Sequence, residues 1–127
     1  MSNCTPGMTP AAIKYLLVRD DLCREGKGVR SVEIAARMNV SKPSAHSMLQ
    51  NLCQAGLVEK ERYGTVYLTR EGRSAAAGYA ACFGPLCRRM QEALGLEEDA
   101  CQTAAYAILA QSQDRLPQLR DRLRAAE

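Results

Sequence analysis

Apolar residues recur along the chain with a helical period, and glycine, proline and small polar residues punctuate them at short intervals. Thr9-Pro10 places a capping hydroxyl before a proline at the first helical position. A helix is predicted from Pro10 to about Arg24, with Ile13, Leu16, Leu17 and Cys23 inward, and Gly26 and Gly28 turn the chain after it. Ser31 is expected to cap a second helix, whose stripe is Ile34, Ala35 and Met38, and Asn39-Val40 makes a tight turn. Ser41 caps a third helix with Pro43 in its first turn, where proline removes no interior hydrogen bond. There Ala45, Met48, Leu49 and Leu52 follow the i, i+3, i+4, i+7 rule, which leaves Lys42, Ser44, His46, Ser47, Gln50 and Asn51 facing out.

Gly56 stops that helix, and the stretches 57–61 and 65–69 read as two short strands about Arg62-Tyr63-Gly64. From residue 70 the pattern returns to helix. Residues 74–82 are rich in alanine, Gly84-Pro85 predicts a kink or break, residues 86–94 resume, and Gly95 caps. Residues 101–110 are apolar almost all round and are expected to be buried, and 112–125 form a last amphipathic helix with Leu116, Leu119 and Leu123. The polar leader 1–8 is expected to be loose. The fold class is therefore mainly α: a winged helix-turn-helix over residues 1–72, then an all-helical dimerisation domain over 73–127. Leu86, Met90, Leu94, Tyr106, Leu109 and Leu116 are the expected dimer contacts, because a small helical unit with Ala- and Leu-rich faces buries them best against a second copy.

Composition changes the picture little. An apolar content of 46% is ordinary for a globular protein of 127 residues. No run reaches the roughly eighteen apolar residues of a membrane span, and the N-terminus lacks a signal peptide's apolar core. The expectation is a cytoplasmic protein with no membrane partner. The net charge of +3 comes from the first part of the chain: residues 1–72 hold ten Lys/Arg and seven Asp/Glu, residues 73–127 seven of each. That is where the suspected nucleic-acid module lies. There is no His paired with a nucleophile, no phosphate-binding glycine loop and no carboxylate pair on one face, so no enzyme is expected. Of the six cysteines, Cys4, Cys23, Cys53, Cys82, Cys87 and Cys101, none forms a C-x-x-C pair, and in a reducing cytoplasm most are read as small buried hydrophobes.

Small polar side chains on an exposed helix face let the backbone approach base edges in a major groove. Ser44, His46, Ser47, Gln50 and Asn51 supply that surface, while Lys42 at the helix start, Arg30, and Lys60 or Arg62 are placed for the phosphate backbone; Ser41, Pro43 and Tyr63 complete the expected DNA-binding set. The function expected is a sequence-specific transcription regulator, with double-stranded DNA as its partner.

Several stretches carry a family resemblance: Met8-Thr-Pro, Gly28-Val-Arg, Glu33-Ile-Ala-Ala-Arg, Asn39-Val-Ser-Lys-Pro-Ser, Ala55-Gly-Leu-Val-Glu-Lys and Tyr63-Gly-Thr-Val-Tyr-Leu-Thr-Arg-Glu-Gly-Arg. They resemble the iron-dependent repressors, the diphtheria toxin repressor and manganese transport regulator family. The likeness is strong over about residues 8–73 and weaker to Ser112. Because the chain ends before the SH3-like domain that some members carry, the short two-domain form is implied. So are a homodimer, a palindromic operator and control by manganese or iron. The family's metal ligands, however, fall at Lys14 and Leu17, at Phe83 and Cys87, and at about Ala105, Ile108 and Leu109. Hydrocarbon side chains donate nothing to a cation, and Lys14 adds like charge. Three replacements stay open: a thiol site of Cys82, Cys87 and Cys101 for a soft metal or an oxidant, a pocket filled by apolar side chains, or a different ligand in the same pocket. A separate reading keeps the winged helix as a protein-interaction module.

Overall fold

A computed structural model describes residues 8–22, 28–62 and 64–125; Cys4, Cys23, Arg24, Gly26 and Tyr63, named above, lie outside the described residues. The first helix, α1, spans Pro10–Leu22, and its start is the expected one: Thr9 Oγ1 accepts from the Ala12 N–H at 3.1 Å. Met8, expected to be loose, is instead buried, and its carbonyl accepts from Gln113 Nε2 at 3.3 Å. Ala12, Ile13, Tyr15, Leu16 and Arg19 form the buried side of α1.

A two-residue strand, β1 (Val29–Arg30), leads directly into α2 (Ser31–Met38). Ser31 is the first helical residue rather than the cap. Arg30 holds the cap position with extended backbone and makes no side-chain capping bond. Asn39 then adopts the left-handed conformation at φ 57°, which asparagine tolerates better than most residues, and turns the chain into α3 (Lys42–Gln54). Ser41 caps α3 as expected, accepting from the Ser44 N–H at 3.2 Å, with Pro43 in the first turn. Ala45, Leu49 and Leu52 are buried, and Met48 is half-buried.

Strands β2 (Val58–Lys60) and β3 (Thr65–Leu68) pair antiparallel, with Lys60 opposite Val66, and β1 joins the other edge of β3 to give the order β1-β3-β2. This third strand was not expected. Two residues carry no period of their own, and β1 exists only through its pairing with β3.

Thr69 caps α4 (Arg70–Leu94) through the Gly72 N–H at 3.0 Å, while its hydroxyl donates to the Gly56 carbonyl at 2.7 Å. A Cβ at Gly72 would run into the Leu57 carbonyl, so the first turn of α4 sits directly on the end of the preceding sheet. The kink or break expected at Gly84-Pro85 does not divide the helix: α4 continues through Pro85 for 25 residues. Cys82 and Leu86 are buried on either side of Pro85, so packing supports helix on both sides of the proline. Gly95 ends α4 at φ 67°.

Helix α5 (Glu98–Gln111) buries Cys101, Ala105 and Leu109 but leaves Thr103, Ala107 and Ile108 exposed. The expectation of burial all round holds for one side only. A 3-10 turn, Gln113–Arg115, leads to α6 (Leu116–Ala125), which inserts Leu123. Helix α1 packs on α2 and α3 and also on α4 and α5, and one continuous buried cluster crosses residue 72. Among the described residues no helix is long and apolar enough to cross a membrane.

Candidate nucleic-acid interface

The outward side of α3 follows from its inward one. With Ala45, Leu49 and Leu52 committed to the core, Lys42, Pro43, Ser44, His46, Ser47, Gln50 and Asn51 are all exposed on one helix. Two of the hydroxyls are partly engaged with each other. Ser41 Oγ donates to Ser44 Oγ at 2.9 Å in addition to its capping role, so Ser41 serves the helix start first. Arg30, Lys60 and Arg62 are exposed at the sheet end of the same unit, interleaved with exposed Glu59 and Glu61. Arg30 sits where β1 meets α2, positioned by the Ser31 N–H donating to the Gly64 carbonyl at 2.7 Å.

A charged contact that sequence reasoning missed sets the position of the sheet. Arg19 is 5% exposed and sends Nε and Nη2 to the Val66 carbonyl at 3.2 and 3.1 Å. It ties α1 to the central strand across 47 residues of sequence. The available signal was its place three residues after Leu16, on the face that already carried Ile13.

Cys82 Sγ is directed to the Leu116 carbonyl at 3.7 Å and Cys101 Sγ to the Leu96 carbonyl at 3.5 Å, and Cys101 lies near enough to Cys87 to add to the upward shift of its thiol. Burial pushes the Cys82 and Cys87 thiols above the ordinary thiol value, the opposite of what a thiolate ligand or a reactive sensor requires. No group of three His, Cys, Asp or Glu side chains among the described residues converges closely enough to hold a metal ion.

The manganese or iron site that the resemblance implies fares no better on its own positions. Ala105 and Leu109 are fully buried hydrocarbon, and Phe83 stacks on Tyr106 with ring centroids 4.6 Å apart. Those residues do not fit a divalent cation.

Of the expected dimer contacts, Leu86 and Leu109 are corrected: both lie inside the protomer, packed in its own core. Met90, Tyr106 and Leu116 are half-buried, and Leu94 is 67% exposed.

Three helices with a capped, polar, outward third helix and a flanking antiparallel sheet define a winged helix-turn-helix, a class built to present one helix to nucleic acid. Residues 15–66 match the family described as iron dependent repressor, N-terminal DNA binding domain. The similarity to that family's DNA-binding domain lies within the winged helix-turn-helix. It is 40% identical over 62 residues to the transcriptional regulator MntR of Escherichia coli, and 36% identical over 62 residues to that of Salmonella typhimurium. The match covers 49% of this chain and 40% of each relative, so the chain spans less than half the length of these relatives. Among solved structures, IdeR of T. acidophilum superposes with a TM-score of 0.62 at 16% identity, over 97% of this chain and 54% of that one. A hypothetical protein from Sulfolobus solfataricus gives 0.59 at 19% identity, over 91% and 86%. ScaR with bound Zn2+ gives 0.60 at 21% identity, over 87% and 53%. At these identities the structures establish the shared fold.

Proposed function

We propose that the chain is a sequence-specific DNA-binding transcription regulator, acting as a homodimeric repressor on a palindromic operator. The observation that carries this reading is the α3 surface: Lys42, Ser44, His46, Ser47, Gln50 and Asn51 stand exposed together over a fully packed inner side, within a matched DNA-binding domain. In the major groove, Gln50 and Asn51 are suited to adenine edges, and Ser47 and His46 to mixed donor and acceptor contacts. Arg30, Lys42, Lys60 and Arg62 would set register on phosphates without reading sequence. The exposed Ala107 and Ile108 of α5, with Leu94 nearby in sequence at the end of α4, support pairing with a second copy. Two copies would present two α3 helices to half-sites about one helical turn, roughly 34 Å, apart.

The test is selection of binding fragments from a random duplex pool, followed by anisotropy titration across salt concentrations. Affinity should fall linearly with log salt, and Lys42→Ala should reduce that slope by about 1 while leaving sequence preference intact. Gln50→Ala should instead relax preference at one base pair of each half-site. Binding without sequence preference at every salt concentration would overturn the proposal.

A further inference from the structure

The cavity that DNA reading leaves unused lies behind the winged helix, where α1 and α2 face α4 and α5. It is a cleft of about 500 Å3, a volume suited to a small organic molecule. Leu17, Val18 and the stacked Phe83 and Tyr106 rings, 28° from parallel, make its apolar wall. Burial holds the Tyr106 phenol up to about 12, so the stack is uncharged at any physiological pH. Asp20, Asp21, Arg37 and the Gln102 amide are the polar groups that line the same cleft. Arg37 Nη2 meets Asp21 Oδ2 at 3.1 Å, so that pair is matched and Asp20 tips the balance to negative. A second hollow of about 470 Å3 continues past Arg37, Gln102 and Tyr106 to Lys14 and Asp99.

We propose that this cleft binds a small aromatic amine, with its ring against Phe83 and Tyr106 and its ammonium group facing Asp20 and Asp21. The ring would replace water on an apolar wall, and an ammonium beside an aromatic stack and two carboxylates is favoured by both. An anion would have to displace Asp21 from Arg37 while meeting Asp20. A bare divalent cation finds two carboxylates beside a guanidinium and no further donor but an amide. The occupant would touch the Asp21–Arg37 pair that joins α1 to α2, and its presence would thereby bias the position of the helix-turn-helix. Only this last coupling rests on the DNA-binding proposal.

The test titrates the full chain with phenethylamine, phenylacetate and butylamine at millimolar concentrations, followed by amide chemical shifts and calorimetry. Phenethylamine should bind saturably with shifts at Leu17, Phe83 and Gln102, and phenylacetate and butylamine should each bind at least about tenfold more weakly. Asp20 is exposed, so Asp20→Asn should leave the fold intact while weakening phenethylamine by about tenfold. Phe83→Leu should do likewise, its folding checked by thermal unfolding. No saturable shift, equal binding of phenylacetate, or indifference to Asp20→Asn would overturn the site. In a parallel arm, phenethylamine should change operator affinity for the parent chain and not for Asp20→Asn. An unchanged affinity removes the coupling and leaves the site, whereas a chain that binds no DNA refutes the DNA reading and leaves the titration to judge the cleft.

Discussion

Helices α3 and α5 divide their residues by the same spacing and finish them in opposite ways. In α3 the buried set is Ala45, Leu49 and Leu52, and in α5 it is Cys101, Ala105 and Leu109. The outward side of α3 is polar and already complete as a surface. That of α5 offers Ala107 and Ile108, Ile108 being 36% exposed, and those groups gain from being covered. One helix leaves a polar side outside, the other a partly apolar one. The difference teaches that inward packing is a common grammar of the two halves, while function is written on the side each leaves outside.

The largest effects should come from asking whether the halves are one folding unit. Leu52 and Leu109 are 1% and 0% exposed, and truncating a buried leucine to alanine costs about 3 kcal/mol through lost transfer energy and the cavity left behind. Because the buried cluster is continuous across residue 72, Leu52→Ala and Leu109→Ala should each lower a single cooperative urea transition by a similar amount. Two separate transitions, with each substitution moving only its own, would break the comparison into two independent domains at the expected boundary.

Arg19→Met should have the next largest effect, about 2 kcal/mol, because charge-assisted hydrogen bonds to the Val66 carbonyl are removed from a buried setting. Hydrogen exchange sharpens the point. Amides of β3 should lose protection well beyond the global change, while those of α5 should follow the global change only. Equal extra loss in both elements would show that Arg19 supports the whole molecule rather than the sheet.

How much of this was legible depended on whether local chemistry and packing agreed. At α3 they did: Ser41, Pro43 and the spacing of Ala45, Leu49 and Leu52 all name one helix and one inner side, so the outward residues followed at once. At Pro85 they disagreed. The ring removes a donor and crowds the preceding turn, yet burial of Cys82 and Leu86 on both sides outweighs that local cost. In α5 an apolar run gives no polar side from which to infer orientation, so Leu109 reads as a dimer contact although it lies fully inside the protomer. The Arg19 contact and the Phe83–Tyr106 stack join residues far apart in sequence, and no periodicity announces such a pair.

The smallest predicted effect is at Tyr15, in the helix that both halves share. Its hydroxyl is buried without a hydrogen-bond partner among the described residues, and burial pushes the phenol from 10.0 up to about 12, with Cys53 adding to the shift. An unpartnered buried hydroxyl costs desolvation and returns nothing, so Tyr15→Phe should leave stability at neutral pH unchanged or raise it by up to about 1 kcal/mol. The sign of the alkaline effect follows from the direction of the shift. Between pH 10.0 and about 12 the unfolded chain releases a proton that the folded chain retains, so folding stability falls as pH rises through that window. Tyr15→Phe removes this contribution and should flatten the decline measured by urea unfolding at successive pH values. Tyr106, also held up to about 12, keeps part of it. A loss above about 1 kcal/mol at neutral pH would mean that the hydroxyl is satisfied, and that the shared helix is bound to the winged half by one more polar contact than Arg19 provides.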